Sequence, residues 1–212
     1  MPDFLVTGPA GASPTLLFAH GAGAPMDSAW MNMFAGVMTE RGVRLVRFEF
    51  AYMTARRSGA RRPPPKADAL LDEYLAAFAA AELGPAPAIG GKSLGGRVAS
   101  MLADRLWGQG KISGLVCAGY PFHPPGRPET LRVAHLETLR TPALICQGAR
   151  DPFGTTEEVA AYPLSPRIDI RWLPDGDHDF SPRKASGRTL ADNIGAAADA
   201  IAVAMRGWKG TA

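Results

Sequence analysis

The chain holds 212 residues, 46 % apolar and 20 % charged, the proportions of a globular domain with a core of its own, which excludes wholesale disorder. Its formal net charge of +3 is local: Arg56, Arg57, Arg61, Arg62 and Lys66 share one stretch without an acid, leaving 18 bases against 20 acids elsewhere. A basic surface for nucleic acid is therefore not expected, and the basic stretch lacks the interleaved aromatics such binding would use.

The first residues carry an acid, Asp3, and their apolar run Leu16 to Ala19 is too short for a signal-peptide core. No run approaches the roughly 18 apolar residues of a membrane span. A cytoplasmic, soluble protein without a membrane partner is the expectation. Thr15 to Ala19 reads as a strand entering HGAGAPMDS, and Ser28 suits the cap of a helix over Ala29 to Arg41 that Gly42 stops. Val43 to Phe50 alternates at period two, as a strand does. An Arg- and Pro-rich loop follows, ending in Pro63-Pro64-Pro65, and then a helix over Ala67 to Glu82.

Pro87 to Gly90 is a short strand, and Leu94 to Trp107 a helix. Three more strands fall at Ile112 to Ala118, Ala143 to Gln147 and Ile168 to Leu173, with helices near Thr155 to Ala161 and Thr189 to Met205. Strands alternating with helices imply parallel pairing and right-handed crossovers. The expected fold is α/β: a single domain over residues 1–212 with a doubly wound, mostly parallel sheet, helices on both faces and no insertion long enough for a cap domain. Sites in such sheets form beyond the carboxyl ends of the strands. Cys117 and Cys146 each sit in an apolar run and read as small buried strand residues. With four scattered histidines they show no metal-ligand spacing, so neither metal nor cofactor is implied.

Between strand and helix lies AIGGKSLGGRV, residues 88–98. As a phosphate loop, G-x-x-x-x-G-K-[ST], it needs glycine at position 86, where Ala86 stands between two prolines that donate no N–H. As G-x-S-x-G it is complete: Gly91 and Gly95 flank Ser93, a nucleophile candidate on a strand-to-helix turn. A serine hydroxyl needs a base, and the base an orienting acid. Asp151 follows strand ALICQ, and His178 follows strand IDIRWL one strand later, both at carboxyl ends and in the order Ser, Asp, His. Asp175, Asp177 and Asp179 read as loop-formers, with Asp177 a possible substitute acid. His20-Gly21-Ala22-Gly23 after the first strand suits an oxyanion loop, with N–H donors from Ala22 or Gly23 acting beside that of Leu94. His20 itself reads as a fastening for that loop.

These segments, with FEFAYMTARRSGARRPPP, GYPFHPPGRPE, TPALICQGARDPFG and DGDHDF, resemble the α/β-hydrolase superfamily over nearly the whole chain. More narrowly the chain is similar to small bacterial dienelactone-hydrolase-like proteins related to testis-expressed protein 30. The resemblance implies Ser93, Asp151 and His178 as a catalytic triad and little about substrate. Serine, where enzymes acting on dienelactones typically carry cysteine, separates it from that activity. The expected function is a serine hydrolase cleaving a small-molecule ester or thioester, with an acyl-enzyme intermediate. The alternative is a hydrolase-fold scaffold of weak or no activity, since the wider branch includes a domain of a chromatin-modifying complex. Arg56, Arg57, Arg61 and Arg62 are candidates for clamping an anionic substrate group, Tyr120, Phe122 and His123 for lining its pocket. Trp30, Met31 and Met33 could line it too, with core packing the plainer role.

Overall fold

A computed structural model of the chain describes residues 3–9, 14–60 and 62–208. Seven strands form one sheet: β1 (Phe4–Thr7), β2 (Thr15–Ala19), β3 (Arg44–Phe48), β4 (Ala88–Lys92), β5 (Gly114–Ala118), β6 (Ala143–Gly148) and β7 (Ile168–Leu173). Their spatial order is β1-β3-β2-β4-β5-β6-β7. Every pairing is parallel except β1 with β3. The expected fold class is therefore the observed one. After β2 the chain steps outward to β3, then returns to the other side of β2 as β4, so the order reverses between β2 and β4. A crevice opens at such a reversal because successive connections leave on opposite faces.

Helices α1 (Ala29–Glu40) and α6 (Leu190–Gly207) cover one face; α2 (Ala51–Arg57), α3 (Leu71–Ala80) and α4 (Leu94–Trp107) cover the other, and the short α5 (Thr156–Val159) lies near the β6 end. The strands show why two cores form. In β2, Leu16 and Phe18 point into the α1/α6 core while Leu17 and Ala19 point into the α3/α4 core, all without exposed surface. A strand buried on both faces loses the apolar-polar alternation that a half-exposed one keeps. Cys117 and Cys146 lie fully buried on β5 and β6, and burial pushes the Cys146 thiol up to about 12.

Several boundaries differ from the sequence expectation, each for a visible reason. The strand read as Val43 to Phe50 stops at Phe48, because the Phe50 N–H leaves the ladder for the His20 ring, at 3.1 Å. The stretch read as an Arg-Pro loop opens with α2, whose first N–H, on Ala51, is satisfied at 2.7 Å by Glu73. A cap supplied by a residue 22 positions away leaves no local signal. The helix read from Ala67 begins as a 3-10 turn over Ala67–Leu70. Strand β1 was not expected at all: four residues, mostly half-exposed, added at the sheet edge. Arg61, read with the basic loop, falls outside the described residues.

Among the described residues no helix is long and apolar enough to cross a membrane.

Candidate active site

Strand β4 carries the chain to Ser93, which sits at φ 50°, ψ −112°, left-handed backbone that costs a non-glycine residue about 1–3 kcal/mol. The turn is possible because its flanks carry no β-carbon. One on Gly95 would stand 2.6 Å from the carbonyl oxygens of both Ala19 and His20, so the start of α4 can press directly on the end of β2. Gly95→Ala is expected to cost about 3 kcal/mol, the upper end of overpacking penalties, in urea unfolding; a loss below about 1 kcal/mol would show that the turn has slack it is not credited with.

The segment after β7 brings His178 over that turn. Its Nε2 lies 2.9 Å from Ser93 Oγ and its Nδ1 lies 2.8 Å from Asp151 Oδ2. The loop is pinned on several sides. Asp177 Oδ1 accepts the N–H groups of Asp179 and Ser181, and Asn193 of α6 donates to the carbonyls of Pro174 and Phe180. The Trp30 indole N–H donates to the Asp179 carbonyl at 3.0 Å. Asp177 is thus occupied inside the loop and Asp175 pairs with Arg150 and Arg183, while Asp151 faces the imidazole.

Asp151 is fully buried at the end of β6. Its Oδ1 accepts the Phe153 N–H at 2.9 Å and its Oδ2 accepts Gln147 Nε2–H at 2.8 Å. It does not cap α5, which Thr155 caps with Glu158 in a reciprocal box. Gln147 was not singled out from the sequence, although a glutamine closing the apolar strand ALIC is an anomaly that could have drawn attention. Its amide is oriented by the Tyr120 N–H on its oxygen and by the Tyr120 and Gly154 carbonyls on its nitrogen. The Phe153 ring leans against the imidazole, with ring centres 4.2 Å apart.

The loop after β2 forms the opposite wall. Because the Phe50 N–H donates to His20 Nε2, the ring proton sits on Nδ1, which donates to the Gly21 carbonyl at 2.6 Å. Burial holds His20 below the usual histidine range, so it stays neutral. Tyr52 donates its hydroxyl to the Ala22 carbonyl, and Arg56 Nη1 does the same, each at 3.2 Å. In a trans peptide the C=O and the following N–H point opposite ways. With the Gly21 and Ala22 carbonyls tied toward α2, the N–H groups of Ala22 and Gly23 turn to the other side. Leu94 opens α4, where the first N–H groups have no helical acceptor.

A cavity of about 360 Å³ lies between these walls, lined by Ala22, Gly23, Ser93 and His178 with Trp30, Met31 and Phe153. Several expected contacts do not line it. Tyr120 and Phe122 are fully buried in the core, their rings tilted against each other at 4.9 Å, since the tight Gly119 turn (φ 65°) sends the chain inward rather than over the site. Arg56 spends its guanidinium on the Ala22 and Arg62 carbonyls and lies 5.2 Å above the Tyr52 ring. Arg57 is held between Asp27 and Glu49, both at 2.6 Å. Met33 is exposed on α1.

The Arg57 cluster carries a pH signature. Its hydrogen bond holds Asp27 below the usual carboxylate range; for Glu49, burial pushes upward most strongly, but the Arg57 bond, the Met26 N–H and the nearby positive charge together outweigh it. Carboxylates depressed in the folded state stabilise it above their unfolded values, and that contribution is lost as pH falls through the folded ones. Arg57→Ala should therefore cost about 1–3 kcal/mol at neutral pH, because the nearly buried Glu49 carboxylate loses its partner while the Asp27 pair, open to water, adds little. That gap should close in acid. A gap unchanged at about pH 3 would contradict the assignment.

Compared with known proteins, the chain is similar over most of its length to solved hydrolases. A dienelactone hydrolase from Anabaena variabilis is 19 % identical, covering 97 % of this chain and 91 % of that one with a TM-score of 0.71. A lid-less α/β serine hydrolase from Xanthomonas campestris is 18 % identical, covering 100 % and 91 % with a TM-score of 0.65. An α/β serine hydrolase homologue from Coxiella burnetii is 19 % identical, covering 93 % and 90 % with a TM-score of 0.65. Residues 12–206 match the family model described as an alpha/beta hydrolase domain. With the reversed sheet order, the serine turn and the aspartate and histidine on successive strand ends, that match across nearly the whole chain makes this protein a member of the alpha/beta hydrolase family.

Proposed function

We propose that the protein is a serine hydrolase cleaving a small-molecule carboxylic ester or thioester through an acyl-enzyme. The unbroken chain of contacts from Ser93 Oγ through the His178 ring to Asp151, at 2.9 and 2.8 Å, carries the reading. Asp151 accepts the proton of Nδ1, which leaves Nε2 as the basic nitrogen facing the serine. As Ser93 Oγ attacks the carbonyl carbon, Nε2 takes its proton. The developing oxyanion is received by the N–H of Leu94 with that of Ala22 or Gly23. The imidazolium then protonates the departing alcohol or thiol, and a water attacks the acyl-serine by the same route in reverse.

Supporting the ester reading is the character of the cavity: its apolar walls, Ala22, Trp30, Met31 and Phe153, suit an uncharged acyl group of modest size. Arg56 and Arg57, turned away and paired, lend no support to selection of an anionic substrate. A panel of neutral and carboxylate-bearing p-nitrophenyl esters and thioesters tests this. Hydrolysis is expected to favour neutral acyl groups by about tenfold or more in kcat/KM. Faster turnover of the anionic members would return a role to the arginines, and no turnover of any member beyond that of buffer would reject the hydrolase.

A further inference from the structure

Lys92, the residue immediately before Ser93, is nearly sealed from solvent, with 8 % of its side chain exposed. Its stem runs against the oxyanion loop: a β-carbon on Gly21 would lie 3.6 Å from Lys92 Cγ. Its ammonium donates to the His178 carbonyl at 2.8 Å, meets Asp179 Oδ1 at 3.1 Å and stands 5.5 Å from the Trp30 ring centre. Burying an ammonium is unfavourable unless its partner is equally protected. Asp179 is not, with 67 % of its side chain exposed, and an ion pair open to water returns little. An apolar side chain of the same length would pack there at lower cost. What it could not do is hold the carbonyl of residue 178.

We propose that Lys92 is a positioning residue that sets the His178 ring on Ser93. The same strand, β4, ends in Lys92 and turns into Ser93, so the bond from Nζ to the His178 carbonyl ties the base to the backbone that bears the nucleophile. The other fastenings of the loop act on its neighbours: Trp30 holds the Asp179 carbonyl, Asp177 holds the N–H groups of Asp179 and Ser181, and Asn193 holds the carbonyls of Pro174 and Phe180. Only the Lys92 bond, among those described, falls on the carbonyl of His178 itself. The proposal rests on the hydrolase reading, because it assigns Lys92 a part in that chemistry.

The test compares wild type with Lys92→Met, Lys92→Gln and Asp179→Asn in p-nitrophenyl butyrate hydrolysis, fluorophosphonate labelling rate and thermal melting. Lys92→Met should lower kcat and labelling rate by about 10–100-fold while KM stays within about threefold, the pattern of a displaced base rather than a lost binding contact. Its melting temperature should equal or exceed that of wild type, since a buried charge has gone. Lys92→Gln, whose amide can still donate, should recover part of kcat. Asp179→Asn should stay within about threefold of wild type.

A Lys92→Met protein with wild-type kcat overturns the proposal, as does an equal loss in Asp179→Asn, which would assign the effect to the ion pair. Should Lys92→Met fail to fold, Lys92→Leu takes its place, and wild-type kcat there overturns the proposal in the same way. A wild type that neither hydrolyses the ester nor takes the label overturns the hydrolase reading instead, so the two failures are separable.

Discussion

Replacing Ser93 with alanine should lower kcat/KM toward any substrate of this protein by about 10⁴–10⁶-fold, leaving only the residual rate that oriented N–H donors give a bound ester. The magnitude follows from the contact chain. Among the described residues no second donor faces His178 Nε2, so removing the hydroxyl removes the attacking atom and the object of the base together. Alanine also relaxes nothing else, since Ser93 contributes no capping bond to α4. Melting temperature should therefore change little, and hydrolysis by purified wild type and variant, with folding checked by circular dichroism, separates the cases. A variant that keeps more than about a hundredth of wild-type activity would move the nucleophile elsewhere.

Asp151→Asn should cost about 10³–10⁴-fold in kcat with KM nearly unchanged. The reason is a count of donors. Both oxygens of Asp151 accept: Oδ1 from the Phe153 N–H, Oδ2 from Gln147 Nε2–H and from His178 Nδ1. An asparagine places an NH₂ against one of those sides. Turned toward Phe153 it sets donor against donor in a fully buried site. Turned toward His178 it drives the ring proton to Nε2, where the imidazole can no longer take a proton from serine. Gln147 cannot relieve the conflict by flipping, because its nitrogen already serves the Tyr120 and Gly154 carbonyls and its oxygen the Tyr120 N–H. A steady-state kcat within tenfold of wild type would show that the carboxylate is dispensable.

Much of this architecture could be read in the residues. Helix Leu94–Trp107 and strand Ile168–Leu173 were expected at the bounds observed. Ser93 was read from its G-x-S-x-G turn, and Asp151 and His178 from their chain order and the rule that loops leaving the carboxyl ends of parallel strands share a rim. That rule needs strand positions only to within a residue or two, which apolar runs supply. The sequence is silent where a partner is remote. Glu73 accepts the first N–H of α2 and His20 takes the Phe50 N–H past the end of β3, and neither pair is close enough in the chain to leave a pattern; Gln147, only four residues before Asp151, was within reach of the sequence and was not read. Tyr120 and Phe122 were misplaced for a related reason. A Pro-rich loop after a strand end looks like a site wall, but the Gly119 turn buries its aromatic residues beneath the rim. The basic loop misled in the opposite sense. Arg56 and Arg57 are taken up elsewhere: Arg56 donates to the Ala22 carbonyl in the loop after β2, and Arg57 is shared between Asp27 and Glu49.

The account stands or falls on whether Ser93 reacts as a nucleophile, and intact-mass and peptide analysis after treatment with a fluorophosphonate answers that without knowledge of the substrate. The prediction is one covalent adduct per chain, carried by the peptide that contains Ser93 and suppressed in His178→Ala. A protein that stays unmodified, or that carries the adduct on another residue, would contradict it.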